Sequence, residues 1–349
     1  MDTKSRSIAI IVIILLLIGM LFISIVTKHP VELESGYRLV MGTIARVVVV
    51  AKDTKTAQKC IEAAFAEIDN VDNLMSDYKS DSEIGIVNKN AAEKAVQVGE
   101  STFEVLQRSV EFSKLTNGAF DITVGPLVDL FHTAKETHIA PTQEQIDNAK
   151  SKVGYEKLIL DPVNRTAKFA IEGMRLDLGG IAKGYGIDKA IEAMQAGGAL
   201  GAMVDIGGDV RCFGIPAKGK DHWLVGLQDP NLPANTPGLD LVLTLKITEG
   251  AIATSGDYQQ FVIIDGKQYS HIIDRRTGTS SKGLSSVTII TDNATDADAL
   301  ATAVSVMGAE SGLALIEKVP DTEAILIPSG QKKFITTSGA DKYLGNNTK

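Results

Sequence analysis

The spacing of hydrophobic and polar positions changes several times along this chain, and each change marks a predicted element. Ser7 to Val26, SIAIIVIILLLIGMLFISIV, holds twenty residues without a charge. At about 1.5 Å per residue such a helix reaches about 30 Å, the thickness of a bilayer core. Lys4 and Arg6 precede it, and Lys28, Glu32 and Glu34 follow. That bias leaves the short end in the cytoplasm and residues 29–349 outside. A cleaved secretory signal is the competing reading, but the exit SIVTKHP lacks a small-x-small site, so residues 1–28 are expected to be an uncleaved single-pass anchor. No cysteine follows the apolar run, so a lipid anchor has no attachment point.

Past a linker over residues 29–36, Tyr37 to Ala51 is rich in β-branched residues and predicts one long strand or a hairpin bent at Gly42. The period then lengthens. Ile61, Phe65, Ile68, Val71 and Met75 share one face of a helix that Asp53 or Thr54 can cap. A polar loop from Ser76 to Ser82 closes it. A second helix is predicted over Thr102 to Leu115, stopped at Asn117–Gly118, and a third from Pro141. Short strands follow at Lys157–Leu160, Ala167–Ile171 and Met174–Leu178, then a helix over Gly179 to Gln195. Gly118 to Phe131 reads as ordered loop and strand. From Ala202 to Thr291 strands dominate, and two helices with short strands end the chain. Without steady βαβ alternation the fold class is α+β, with mixed or antiparallel sheets and flanking helices.

Composition adds one exclusion. Lys plus Arg total 35 against 43 for Asp plus Glu, a formal charge of −8, and no block of five like charges occurs. A basic surface for nucleic acid is therefore absent from the sequence. Cys60 and Cys212 stand far apart in no metal or redox spacing, and Cys60 falls on an apolar helix face, so buried thiols are expected.

Four segments carry residues suited to chemistry. In LDLGGIAKG, Leu176 to Gly184, a strand ends in a glycine pair and opens a helix, where backbone N–H groups and Lys183 suit an anion. A plain strand-to-helix turn with a solvated lysine has the same pattern. In DADALATAVSVMG, from Asp296, Asp298 and Thr302 are four apart on one helix side and can reach one hard cation such as Mg²⁺. Thr295 and Asp298 equally fit a capping-box spacing. Ala253 to Gly278 gathers Ser255, Asp257, His271, Asp274, Arg275, Arg276 and Thr277 at strand ends, a set suited to proton transfer beside a phosphate. Asp121 follows Phe120 in GAFDITVGPLVDLF, and Tyr78 in DYKSDSEIGIVN can stack on a planar ligand. Neither GxSxG, HExxH nor a Cys-His spacing occurs.

In this order the segments resemble the ApbE-type FAD:protein FMN transferase family. The resemblance rests on MGT (Met41 to Thr43), MSDYKSDSEIGIVN (from Met75), GAFDITVGPL (from Gly118), LDLGGIAKGYGID (from Leu176), VDIGGDV (from Val204), ATSGDY (from Ala253), YSHIIDRRTG (from Tyr269) and DADALATAVSVMG (from Asp296). It implies a two-lobed catalytic domain over residues 37–345. It implies an extracytoplasmic enzyme that uses Mg²⁺ to split the FAD pyrophosphate, moves FMN to a Thr or Ser of a flavoprotein acceptor and releases AMP. Relatives acting as FAD pyrophosphatases, or an anchored flavin-binding protein without turnover, are the alternatives. Carried over by position, Met41, Tyr78, Ala119, Phe120, Asp121, Asp177, Lys183, His271 and Ile272 look like FAD contacts. Gly180, Asp298 and Thr302 look like the metal ligands, and His271, Asp298 and Lys183 like the catalytic set. Two departures stand out: Gly180 replaces a frequent alanine, and Asp274-Arg275-Arg276-Thr277-Gly278 replaces the usual Asp-Pro-Arg-Thr-Gly. TTSGA, Thr336 to Ala340, faintly resembles a flavinylation acceptor but lacks the preceding acidic residue.

Overall fold

The computed structural model describes residues 29–217, 219–232, 241–256, 261–264, 267–270 and 272–345. The Ser7–Val26 segment lies outside them, and among the described residues no helix is long and apolar enough to cross a membrane.

The centre is an eight-stranded sheet in the order Val31–Val40, Thr43–Ala51, Gly201–Ile206, Asp209–Phe213, Gly250–Gly256, Leu284–Thr291, Glu323–Pro328, Ile335–Thr336. Every pairing in it is antiparallel. The first strand begins at Val31, inside the segment read as a linker. Its alternation V-E-L-E is that of an edge strand with one wet face. Met41 and Gly42, at φ 46° and 72°, form the two-residue turn into the second strand.

TIARVVVVA reads as a continuous apolar run because both faces of the second strand are covered. Ala45, Val47, Val49 and Ala51 face the helices, whereas Val48 and Val50 pack with Met203 and Trp223 under the hairpin Trp223–Gln228 and Leu241–Ile247. Between the second and third sheet strands the chain inserts α1 (Thr54–Met75), α2 (Glu83–Asn90), α3 (Glu100–Leu115), α4 (Gly125–Thr137), α5 (Gln143–Ser151) and α6 (Ala182–Ala196). The same insertion holds a three-stranded sheet of Val96–Gln97, Thr166–Phe169 and Leu158–Asp161. Later come α7 (Ala294–Met307) and α8 (Ala309–Ile316).

Asp53 caps α1, its carboxylate accepting the Thr56 N–H at 2.8 Å, and the helix buries the apolar face read from its spacing. Two local expectations fail. Met174–Leu178 alternates as a strand does, yet its ladder is one bridge, Arg175 to Val124. The Asn88 carboxamide replaces a neighbouring strand, accepting from Leu176 N at 2.7 Å and donating to Leu176 O at 3.0 Å. The Gly118–Phe131 segment becomes α4 from Gly125, with Pro126 in the first turn, where its missing N–H costs nothing.

Both cysteines are buried and unbridged. Burial pushes the Cys212 thiol up to about 12 and also raises Cys60, whose sulfur donates to Met194 O. Neither thiol is expected to react with a thiol reagent until the chain unfolds. Cys212→Ala should lower stability by about 1 kcal/mol in urea unfolding and leave turnover intact.

Candidate functional site

The head of α6 is built by a close approach of helices. A Cβ on Gly184 would lie 2.1 Å from Ala294 O, so glycine is what lets α6 meet the start of α7. Asp188, one turn further on, fixes the contact: its carboxylate accepts from Ala294 N (2.8 Å), Thr295 N (2.9 Å) and Thr295 Oγ1 (2.5 Å) and pairs with Arg211 (2.8 Å). Asn293 caps α7, accepting from Asp296 N at 2.9 Å. The Thr295–Asp298 capping box is therefore not formed, and Asp298 is left to face α6.

There its Oδ2 accepts from Gly184 N and its Oδ1 from Lys183 Nζ, both at 3.1 Å. Lys183 also pairs with Asp209, whose other oxygen accepts from Thr254 N at 3.0 Å. Both carboxylates are 4% exposed. Burial raises Asp298 to about 6, with Asp209 adding to the shift and Lys183 opposing it. Burial alone would lower Lys183, but the two carboxylates outweigh it and hold the ammonium above its usual range. The expected anion-holding lysine is thus already neutralised. The trio carries one net negative charge and favours a cation, which in turn can hold a phosphate.

Gly180 lies against Thr302 and Phe120. A Cβ there would stand 2.9 Å from Thr302 Oγ1 and 3.4 Å from Phe120 Cε2, so alanine at this position requires Thr302 to shift. Thr302 is half-buried and one turn beyond Asp298, as the spacing predicts. The Gly180 turn is held by Asp177, which accepts from Gly179 N at 2.8 Å and whose own N–H donates to Ile122 O at 2.8 Å. Among the described residues no cluster of three or more His, Cys, Asp or Glu could hold a metal. The candidate donors here combine one carboxylate with hydroxyl and main-chain oxygens.

The other expected contacts have separate surroundings. Met41, in the hairpin turn, has its sulfur beside Gly186 of α6. Tyr78 is 76% exposed and stacks on His132 with centroids 6.3 Å apart. Its neighbour Asp77 pairs with Arg175 and is raised to about 6 by burial and by Asp177. Ala119 and Ile272 pack together with Val306. The Asp121 carboxylate accepts from Thr123 and Tyr155 N and pairs with Arg275, which fastens the loop. His271 and Asp257 lie outside the described residues.

In TTSGA, Thr337 is buried and donates its hydroxyl to Glu323 at 2.5 Å, whereas Ser338 is exposed and donates to Glu317 at 2.9 Å. Two clefts of about 400 and 490 Å³ open beside Arg108 and Asp296, and neither contains a candidate residue.

The ApbE family model matches residues 41–326. A Vibrio cholerae protein named FAD:protein FMN transferase is 32% identical over 307 residues, 85% of this chain and 89% of the relative. The crystal structure of the ApbE protein from Thermotoga maritima superposes with a TM-score of 0.78 at 31% identity, covering 88% of this chain and 97% of that one. The flavin transferase ApbE from Vibrio cholerae gives 0.76 at 28% identity, covering 90% and 100%.

Proposed function

Because the chain belongs to the ApbE family, we propose that it acts as its relatives are named, as an FAD:protein FMN transferase. The reaction divides the FAD pyrophosphate, joins FMN through a phosphoester to a Thr or Ser hydroxyl of an extracytoplasmic flavoprotein, and releases AMP. The observation that carries this reading is the buried Asp209–Lys183–Asp298 trio beside Gly180 and Thr302.

The donors suit Mg²⁺, being oxygens only and adjoining a net negative charge. Gly180 through its carbonyl, Asp298 and Thr302 would hold it, and it supplies positive charge to the phosphoryl oxygens. Lys183 keeps the two carboxylates ionised and fixes Asp298 in place. Tyr78 offers its exposed ring face to a planar part of FAD. The acceptor oxygen attacks the FMN phosphorus, the bond to the bridging oxygen breaks, and AMP takes that oxygen away. The acceptor's proton passes to a base, a role assigned to His271. His271→Ala is expected to slow transfer about a hundredfold while flavin-fluorescence titration finds FAD affinity unchanged. Residues 1–28 would hold the domain at the outer membrane face.

The test incubates the chain with FAD and Mg²⁺, with and without an acceptor domain, and follows AMP and protein-bound flavin together. Covalent FMN on the acceptor in equal amount to AMP supports the transferase. Free FMN with AMP despite acceptor identifies a pyrophosphatase, and intact bound FAD a binding protein.

A further inference from the structure

Arg275, in the turn that follows Asp274, has three partners in the structure. Its Nη1 lies 3.0 Å from Asp121 Oδ2, its Nη2 lies 3.0 Å from Glu156 Oε1, and its guanidinium sits 5.0 Å from the centre of the Tyr155 ring. Asp121 is 2% exposed and Arg275 19%, so this pair is screened little by water; Glu156, 55% exposed, adds less. Gly118, at φ 74°, presents bare backbone to the guanidinium, and a Cβ there would come within 2.3 Å of Nη2.

The links around it show what it holds. The 118–124 loop and the 154–155 turn are already joined without it, through Tyr155 N to Asp121 and Gly154 N to Thr123 Oγ1. The 272–281 turn is joined to α7 by the next residue, Arg276, which forks onto Asp274 and donates to Val306 O at 3.2 Å. Among the described residues, Arg275 is a polar link between these two units. Removing it leaves two apolar contacts, Ala119 with Ile272 and Val306, and Ile273 with Leu127, Phe131, Ala149 and Val153. On one side stands Phe120, whose ring touches the Gly180 turn; on the other stands Ile272, next to His271 in sequence.

We propose that Arg275 is a positioning residue that seats the Ala119–Phe120 loop against the Ile272 turn, and so aligns the flavin contacts assigned to both. The ligand rests on the proposed function; the seating of the loop does not. Adjacent arginines divide the task, Arg276 tying the turn to the helix of Asp298 and Thr302, and Arg275 tying it to Asp121 in the 118–124 loop.

The test compares the full chain with Arg275→Met and Arg275→Lys. Hydrogen exchange without flavin should show residues 119–124 exchanging about tenfold faster in Arg275→Met, with α1 and α6 protected as in the parent. With FAD, the KM for FAD should rise about tenfold and kcat stay within about threefold, and Arg275→Lys should recover part of the affinity by restoring charge to Asp121. Unchanged exchange at 119–124, or equal loss of protection across the whole chain, would overturn the proposal. So would an unchanged KM in an active enzyme. If the parent neither binds nor turns over FAD, the proposed function fails, and the exchange pattern alone still decides the role of Arg275.

Discussion

Asp298→Asn is expected to lower FMN transfer at saturating FAD by about a thousandfold, with FAD affinity changed by less than about threefold. Asparagine keeps the side-chain volume, and its oxygen can still accept the Gly184 N–H, so the helix contact survives. What is lost is charge. Asp209 and Lys183 then cancel, and the site no longer carries the net negative charge that favours a divalent cation. The deficit should shrink as Mg²⁺ is raised. Steady-state kinetics against Mg²⁺ concentration reads both effects; parental activity in the variant would remove Asp298 from the site.

The second large effect is on stability. Lys183→Met leaves Asp209 and Asp298 buried without their shared cation, and stability at pH 7 should fall by about 3–5 kcal/mol. A carboxyl whose pKa in the fold lies above its unfolded value takes up a proton on folding, so its contribution to stability grows as pH falls. Asp298 is already raised to about 6 with Lys183 present, and losing the cation raises it further. The variant should therefore regain stability on acidification from pH 7 towards 5, where the parent gains less. Adding Asp209→Asn should restore much of the loss at pH 7 without restoring activity. Urea unfolding at the two pH values measures this, and a pH-independent deficit would contradict the account.

The elements that sequence made legible are those with a long, regular period. The α1 face emerges as read, with Asp53 the cap of the two residues offered, and the i, i+4 spacing of Asp298 and Thr302 does place both on one helix. Asp209 and Asp188 carried no such mark. Asp209 follows a glycine pair and reads as a hairpin corner, and its relation to Lys183 exists only after the sheet meets α6. Asp188 closes the LDLGGIAKGYGID motif, but its anchoring of the start of α7 exists only once the two helices meet. The false strand at Met174–Leu178 shows the same limit in reverse: its alternation is real, but a side chain, Asn88, supplies the partner. The ties of Asp121 to Thr123, Tyr155 and Arg275 were not legible either, because they are contacts of the folded chain.

A crystal structure of the chain grown with FAD and Mn²⁺ in place of Mg²⁺, read by anomalous scattering, tests the central claim most directly. The account predicts one cation at about 2.1–2.3 Å from the Gly180 carbonyl, Asp298 and Thr302 oxygens, with the FAD pyrophosphate beside it. A cation bound elsewhere, with these three oxygens unliganded while FAD is present, would contradict it.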